Sequence, residues 1–322
     1  MNEIVVRNAP HGLSSSPLCD LCHVGNFPAK AADGVISNWK DCTFASVSQV
    51  AAVASVQRHA HHLGLRQSIR FGKPEITAYM KKMGYFECAG IVDESPRRQI
   101  EAEITVMPLS AICGDDNTNE IPARLRTTVT GHLDLDDSAI DTIDLTFSEV
   151  LDNVRQHSGD SISGLAAAQY HPNKRYVEAC IVDCGVGIAA SMADNPAYAG
   201  LSNYELLAKA FEEHTGQYYA LPSFGTAQVS GGRGLHMTFM VLKALNGIAW
   251  VISHGDAMRI ENGICTKLED LYYPGTIVCM RYPITSKKVT GNDLFGNGIE
   301  APLRWNQSDS YFYEGRDDYP LW

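Results

Sequence analysis

Residues 146–160 read TFSEVLDNVRQHSGD and combine an apolar and a polar pattern at helical spacing. Four apolar residues recur at the spacing of one helix face: Phe147, Val150, Leu151 and Val154. Three polar residues follow one another a turn apart on a second face: Glu149, Asn153 and His157. Ser158, Gly159 and Asp160 are residue types that end helices. The stretch predicts a helix whose polar column is either a solvated face or a set of ligands.

The composition of the 322 residues, 45% hydrophobic and 20% charged, is that of an ordinary soluble globular protein. The net charge of -11 argues against a broad nucleic-acid surface or an anionic-membrane surface. No run of about 18 apolar residues occurs, so no membrane span is expected. The nine cysteines lie mostly in apolar strings, which indicates reduced thiols and a cytoplasmic protein.

One group of cysteines has metal-ligand spacing, because Cys19, Cys22 and His23 form C-x-x-C-H. A zinc site needs four ligands, and no second C-x-x-C or matching histidine pair stands downstream. We therefore expect a flexible N-terminal segment here rather than a metal centre.

The first third of the chain alternates strand and helix patterns. Strand candidates are residues 3–7, 34–39 and 65–71, and helix candidates are 47–63 and 74–84. This order predicts a small α/β layer. A further strand candidate spans residues 100–112, and the polar residues 114–122 are the best domain boundary.

In the second half, a buried strand over residues 176–183 runs directly into CGVGI. Asp183, Gly185 and Gly187 thus form D-x-G-x-G at a strand end. Glycines there permit positive φ and close approach of the backbone to a ligand. The carboxylate can accept a hydrogen bond from an amino group of a base.

A long irregular segment over residues 189–230 surrounds one helix pattern, as functional lids do. The sequence SGGRGL, residues 230–235, then opens a helix. A helix N-terminus presented through glycines is an anion site, and Arg233 adds positive charge. Residues 248–253 and 276–283 are strand candidates.

Taken in order, and with P-G-T at residues 274–276, these motifs resemble the ATP-binding domain of the GHKL superfamily. That superfamily includes gyrase-type topoisomerases, Hsp90 chaperones, histidine kinases and MutL repair proteins. The resemblance covers about residues 140–283. It implies a Bergerat-type fold, a two-layer α/β sandwich with a mixed sheet and helices on one face. It also implies ATP and Mg²⁺ as cofactors.

The resemblance further implies roles for single residues. Asn153 would ligate Mg²⁺, and Glu149 would orient or deprotonate water near the γ-phosphate. Asp183 would bind the adenine amino group, with support from Thr276. His157 matches a position often held by histidine in the kinase-like and anti-sigma branches. The remaining nucleotide contacts would be Gly185 and Gly187 at the adenine and ribose, and Gly232, Arg233, Gly234 and Leu235 at the phosphates.

Two positions depart from the superfamily pattern. His236 stands where a small glycine usually follows G-x-G-L, and Cys184 stands where Asn often follows the adenine Asp. No dimerisation helix with a phospho-acceptor histidine precedes the domain. Residues 1–120 do not resemble the transducer domains of topoisomerases or chaperones.

Residues 34–90 resemble the STAS-type domain of anti-sigma-factor antagonists, in which a strand leads to a phosphorylatable serine at the start of a helix. The matching stretch here is CTFASVSQV, so Ser46 or Ser48 would be the candidate serine. The family's D-S-[ST]-G pattern is absent, because no Asp or Gly stands in place. The alternative, which we favour, is that these serines cap the helix.

The sequence thus predicts a small STAS-like α/β domain over residues 1–118, a histidine-kinase-like ATP-binding domain over 119–285 and a tail over 286–322. We expect an ATP·Mg²⁺-binding protein that hydrolyses ATP as a conformational switch. Two alternatives stay open. One is a serine/threonine kinase of the anti-sigma type, acting on a partner or on its own N-terminal domain. The other is a nucleotide-binding interaction module without turnover. A protein partner is expected, and a homodimer is an open alternative.

Overall fold

The computed structural model describes residues 2–10, 12–28, 34–92, 105–112, 120–157, 164–193, 195–212 and 234–295. The strands in these ranges are β1 (Asn2–Val5), β2 (Gly34–Asn38), β3 (Arg66–Arg70), β4 (Val106–Ala111), β5 (Leu165–His171), β6 (Tyr176–Asp183), β7 (Ile248–His254), β8 (Asp256–Glu261), β9 (Ile264–Leu268) and β10 (Tyr273–Pro283). The helices are α1 (Val47–His62), α2 (Pro74–Lys82), α3 (Tyr85–Cys88), α4 (Glu120–Thr130), α5 (Asp137–His157), α6 (Ile188–Met192), α7 (Asn203–Lys209), α8 (Gly234–Ala244) and α9 (Gly291–Phe295). None of the described helices combines the length and apolar sequence that crossing a membrane would need.

Seven strands form one sheet in the order β4-β5-β6-β10-β7-β8-β9. Every neighbouring pair of these strands is antiparallel. The predicted α/β class is confirmed, but the sheet is antiparallel where a mixed sheet was predicted. The reason is the position of β10. β6 and β7 run in the same direction, and β10 is inserted between them and runs against both.

The side chains of this sheet alternate between two apolar cores. On one face, Ala179 and Val251 pack with α4, α5 and α8. On the other face, Cys180 and Trp250 pack with α1. Helices therefore cover both faces, whereas the predicted sandwich had helices on one face only. Because both faces are covered, β6 is buried along its whole length.

Helix α1 is buried nearly all round because it lies between two sheets. β1, β2 and β3 form a parallel three-stranded sheet, and α1 packs between this sheet and strands β5 and β6. The helix sequence VSQVAAVASVQRHAHH is accordingly rich in small apolar residues rather than amphipathic. Ser46 is its N-cap: the side chain accepts from Gln49 N, and the Gln49 side chain accepts from Ser46 N. The capping interpretation of Ser46 is confirmed.

A buried ion pair between β6 and β10 joins α1 to the sheet. Arg281 Nε donates to Glu178 Oε2 at 2.7 Å, and the two side chains are 1% and 0% exposed. Ser48 N and Oγ, in the first turn of α1, donate to Glu178 Oε1 at 3.1 and 2.7 Å. Arg281 Nη1 donates to the carbonyl oxygens of Gly12 and Ser15, both at 2.6 Å. Ser48 is thus a buried donor in this cluster and not a helix cap.

The electrostatics of this cluster keep both partners charged. Burial by itself would raise the pKa of Glu178, but the Arg281 guanidinium, with His171 and the Ser48 hydroxyl, holds it below its ordinary value. Burial would likewise lower the pKa of Arg281, and the Glu178 carboxylate more than offsets that effect. The pair is therefore a charged contact inside the core.

The N-terminal segment is packed, which corrects our expectation of a flexible one. Leu18, Leu21 and Cys22 are fully buried in the core that contains α1. The carbonyl oxygen of Cys22 accepts a hydrogen bond from Tyr272 N at 2.6 Å. The apolar residues between the polar ones, rather than the Pro, Ser and Gly content, decide this outcome.

Several elements, among them β5 and α4, were not predicted from the sequence patterns. The sequence of β5, LAAAQYH, lacks the β-branched residues that favour strands, and small side chains suit it because α1 and α4 pack on its two faces. Helix α4 begins at Glu120, inside the polar segment taken as a domain boundary. β4 lies within the predicted first domain, yet it pairs with β5 in the seven-stranded sheet. The boundary at residue 118 stays a prediction.

Removing the cation of the buried pair is expected to destabilise the protein strongly. Arg281→Met leaves the Glu178 carboxylate buried without its partner, which costs roughly 3–5 kcal/mol in the free energy of unfolding. Arg70→Met is the control: its ion pair with Glu3 involves an Arg side chain that is 55% exposed, and such pairs contribute about 1 kcal/mol or less. Urea denaturation measures both, and equal losses would contradict a structural role for the buried pair.

Acid is expected to destabilise the protein through His171, which ends β5. Burial lowers the pKa of His171 to about 4, against the opposing effect of Glu178. As the pH falls from about 6.5 to 4, the unfolded chain binds a proton here that the folded protein does not, so stability falls by about 3 kcal/mol. The pKa of Glu178 is also lower in the folded protein than its ordinary value. Protonation of this carboxyl group therefore causes a separate loss of stability as the pH falls below that ordinary value.

His171→Gln should remove the part of this loss that lies between pH 6.5 and 4. Urea denaturation of the wild type and the variant at pH 7 and 4.5 measures it. The same decrease in unfolding free energy in both proteins would show that His171 does not carry the effect.

Candidate functional site

The carboxylate of Asp183 lies at the end of β6. This residue is 5% exposed, and its Oδ1 accepts a hydrogen bond from Gly185 N at 2.7 Å. The backbone therefore turns at once after the strand, and the turn holds the carboxylate in place. A nearly buried carboxylate at a strand end, with glycines following it, is the centre of the candidate site.

Residues at the end of strand β7 hold the glycine turn after Asp183 in place. Gly187 has φ 83°, and a Cβ there would lie 2.5 Å from His254 Cδ2 and 2.8 Å from Ser253 Oγ. Only glycine fits this position without a shift of its neighbours. Ser253 Oγ accepts from Ile188 N at 2.8 Å and lies 3.4 Å from Thr276 Oγ1. Two hydroxyl groups thus lie beside the turn.

Thr276 is the register partner of Asp183 across β10 and β6. The register of β10 against β7 shifts between Tyr273 and Thr276, so Pro274 and Gly275 form a bulge. Gly275 has φ 147°, and a Cβ there would lie 2.1 Å from the Asp183 carbonyl oxygen. The P-G-T sequence therefore lets the two strands come close enough for Thr276 to lie beside Asp183.

The C-terminal end of α5 points to the same end of the sheet as Asp183. Asp136 N, just before α5, donates to the carbonyl oxygen of Val289, which follows the far end of β10. β5 comes after α5 and begins at Leu165, opposite Val182 and next to Asp183. The helix that carries the polar column thus runs from the far end of the sheet toward the carboxylate.

The polar column lies on the side of α5 away from α4. Asp144 faces α4, where its carboxylate is 3.8 Å from Arg126. Glu149 and Asn153 are about 140–180° away round the helix axis. They are partly exposed, and α8 is a second helix that packs against α5. His157 is the last residue of α5, and its side chain lies outside the described part of the structure.

Helix α8 begins at this end of the sheet, because it leads back to the start of β7, whose other end lies beside Thr276. Its first residue is Gly234, so the prediction that the glycine-rich sequence opens a helix is confirmed. Leu235 packs against the core beneath α5 and α8. Gly232 and Arg233 lie outside the described residues, and their phosphate contacts stay predictions.

His236, one of the two departures from the superfamily pattern, lies in the first turn of α8. Its Nδ1 is 3.0 Å from the carbonyl oxygen of Phe211. Cys184, the other departure, has its Sγ 3.5 Å from Ser55 Oγ on α1. Both positions therefore make contacts inside this protein that the superfamily pattern does not indicate.

The structure places Asp183, Gly185, Gly187 and Thr276 together at one end of the sheet, and α8, with Gly234 and Leu235, begins there. Glu149 and Asn153 lie in the C-terminal half of α5, which runs toward this end. The predicted site residues left out three further contributors, Ser253, Tyr273 and Gly275, although P-G-T at residues 274–276 was one of the motifs. Ser253 looked like an ordinary strand end, and Tyr273 precedes the strand as it was predicted. The available signal was P-G-T, since a glycine next to a strand suggests a bulge or a close backbone approach.

In the part of the chain that the structure describes, no three His, Cys, Asp or Glu side chains are grouped so as to hold a metal ion. Cys19, Cys22 and His23 lie within this described part and form no such group. No protein-family model matches the sequence, and a search of curated proteins gave no significant match.

Proposed function

We propose that this chain binds ATP·Mg²⁺ at the Asp183 end of the seven-stranded sheet and hydrolyses ATP as a conformational switch. One observation carries the proposal: the nearly buried Asp183 carboxylate is held by a glycine turn and has Thr276 as its cross-strand partner. A carboxylate acceptor beside hydroxyl groups is complementary to the edge of a nucleobase, which offers amino hydrogens and ring nitrogens.

The adenine edge fits this set of groups. Its exocyclic amine can donate to the Asp183 carboxylate, and a ring nitrogen can accept from a hydroxyl of Thr276 or Ser253, directly or through water. A guanine in the same orientation would present a carbonyl oxygen to the carboxylate, which is repulsive. The donor and acceptor pattern therefore favours adenine over guanine.

The triphosphate has a suitable anion-binding element at the same end of the sheet. The first backbone N–H groups of α8 have no acceptor within the helix, and the helix dipole favours negative charge there. A nucleotide whose base contacts Asp183 would direct its phosphates toward this helix end. The location of α8 thus supports a nucleotide rather than a free base as the ligand.

The residues present also fit a magnesium ion. Mg²⁺ in nucleotide sites commonly takes one or two protein oxygens, with phosphates and water as its other ligands. The partly exposed carboxamide of Asn153 can supply such an oxygen, and Mg²⁺ would neutralise phosphate charge. Glu149, one turn earlier on α5, is the candidate to orient or deprotonate the attacking water.

The kinase alternative has less support where the target is the protein's own N-terminal region. Ser46 and Ser48 are 1% and 0% exposed, and each is hydrogen-bonded. Phosphoryl transfer to either serine would require α1 to leave the sheet. Transfer to a partner, and binding without turnover, are the two outcomes that compete with hydrolysis.

Mixing the purified protein with γ-labelled ATP and Mg²⁺ tests the proposal. Hydrolysis releases labelled phosphate, a kinase leaves label on protein, and a binding module does neither. Release of labelled phosphate that requires Mg²⁺ supports the proposed ATPase. Labelled protein without free phosphate, or no release at all, would overturn it.

Asp183→Asn is expected to abolish nucleotide binding while the fold persists. The carboxamide oxygen can still accept from Gly185 N, but the charge that pairs with the base is lost, at a cost of roughly 2–5 kcal/mol in binding free energy. Asp256→Asn, at the partly exposed start of β8, is the control and should bind like the wild type. Calorimetry showing unchanged ATP affinity in a folded Asp183→Asn protein would remove Asp183 from the site.

Substitutions of Glu149 and Asn153 should affect different quantities. A metal ligand acts in the ground state, so its loss weakens binding, whereas a general base acts mainly in the transition state, so its loss slows turnover. Asn153→Ala should lose the Mg²⁺-dependent part of ATP affinity. Glu149→Gln should bind ATP normally and release phosphate on the order of 10²–10⁴-fold more slowly. The control on the same helix is Asp152→Asn, whose carboxylate pairs with Arg155 at 2.7 Å.

Calorimetry and phosphate release on the same preparations measure both quantities. Normal turnover by Glu149→Gln would eliminate it as the catalytic base. An ATP affinity that still rises with Mg²⁺ in Asn153→Ala would eliminate that residue as the metal ligand.

A further inference from the structure

We propose that Tyr273 is a positioning residue of the nucleotide site, through which α1 holds Asp183 and Thr276 in register; the proposal rests on the nucleotide binding proposed above. Tyr273 is the first residue of β10 and is fully buried. Its hydroxyl donates to the carbonyl oxygen of Ala52, in the middle of α1, at 3.1 Å. The start of β10 is thereby tied to a helix on the opposite face of the sheet from α5 and α8.

The hydrogen bond from Tyr273 to α1 affects the nucleotide site because the bulge follows Tyr273 directly. Only Pro274 and Gly275 separate Tyr273 from Thr276, and Pro274 restricts its own φ. Gly275 is already against the backbone of Asp183, where even a Cβ would be 2.1 Å from the carbonyl oxygen. The segment has no room to absorb a displacement of Tyr273, so such a displacement would move Thr276 relative to Asp183.

A second link joins α1 to the other strand of the pair. Cys184, which follows Asp183, has its Sγ 3.7 Å from the Tyr273 hydroxyl and 3.5 Å from Ser55 Oγ. Ser55 lies about one turn beyond Ala52 on α1. The helix therefore contacts both the residue that follows the carboxylate and the residue that precedes the bulge.

Residues of the N-terminal segment also contact the start of β10. The Phe27 ring packs edge-on against the Tyr273 ring, with centroids 5.1 Å apart and an interplanar angle of 80°. The Cys22 carbonyl oxygen accepts from Tyr272 N. Tyr273 is therefore enclosed by α1, by residues 22–27 and by the strand end that carries Cys184.

Through these contacts the N-terminal layer supports the nucleotide site indirectly, without contacting the nucleotide. Coupling between binding and another conformational equilibrium is reciprocal. A change that loosens α1 would weaken nucleotide binding, and bound nucleotide would stabilise α1 against opening. The structure thus assigns the N-terminal layer a route by which a partner bound to it could alter nucleotide affinity.

Tyr273→Phe and a matched control, Tyr85→Phe, test this inference. Tyr85 is also fully buried, and its hydroxyl donates to Gln57 on the same helix α1. Both variants lose one buried hydroxyl that bonds α1, so their losses of stability should be similar. Only Tyr273 adjoins the bulge, so only its loss should change the site.

Three measurements are compared: affinity for the Mg²⁺ complex of a non-hydrolysable ATP analogue, amide exchange of residues 275–277 without nucleotide, and amide exchange of α1 with and without the analogue. Tyr273→Phe should bind about tenfold more weakly, which is the effect of losing one buried hydrogen bond. It should exchange faster at residues 275–277 and lose the protection of α1 by nucleotide. Tyr85→Phe should match the wild type in affinity and at residues 275–277.

Equal effects of the two variants on affinity, or unchanged exchange at residues 275–277 in Tyr273→Phe, would overturn the inference. Ser55→Ala provides a milder variant should Tyr273→Phe fail to fold, and it should change the same readouts in the same direction. Wild-type protein that binds no nucleotide would instead overturn the proposed function. The nucleotide-free exchange measurement would then still decide whether Tyr273 holds the bulge.

Discussion

The buried ion pair of Glu178 and Arg281 joins the two central strands β6 and β10 to α1 and to the N-terminal segment. Two charges can stay inside a core only when their geometry is good and their remaining hydrogen-bonding capacity is satisfied. Here Ser48 satisfies the carboxylate, and the carbonyl oxygens of Gly12 and Ser15 satisfy the guanidinium. Since these partners come from α1 and from the N-terminal segment, the pair keeps its hydrogen bonds only while both cover this face of the sheet.

The helix that covers the second face of the sheet also affects the environment of Asp183 at the end of β6. With α1 in place, the central strand β6 is buried throughout, and its only ionisable carboxylates are Glu178 inside and Asp183 at the end. Glu178 has a cation and hydroxyl partner within the protein. Asp183 is held by a backbone N–H of a glycine turn at the end of the strand. The same strand thus carries one structural acid and one candidate recognition acid.

Two positions on α1 connect these acids. Ser48, near its start, contacts Glu178, and Ser55, two turns later, contacts the residue after Asp183. A helix that is buried on nearly all sides has little freedom to slide between two sheets, because close packing on both sides resists displacement. This helix therefore connects the interior ion pair to the candidate site, although no local sequence pattern links them.

Several features of the candidate site follow from the sequence alone. The period of α5, the apolar run of β6 and the glycines after Asp183 are local patterns, and each predicts the element that the structure contains. Local patterns failed where packing overrides propensity. The alanines of β5 form a strand because helices press on both faces, and the N-terminal segment is ordered because its few apolar residues fill the core beside α1.

What the tertiary structure decided is which strands are neighbours. The insertion of β10 between β6 and β7 brings Thr276 opposite Asp183, Arg281 opposite Glu178 and Ser253 beside the glycine turn. Each of these contacts joins residues far apart in the chain, and no single sequence pattern specifies them. Local sequence patterns therefore sufficed for helices α1, α2, α5 and α8, for most of the strands and for the turn that follows Asp183. Strand order, covered faces and the shared position of the site residues required the fold, because burial and pairing depend on all segments at once.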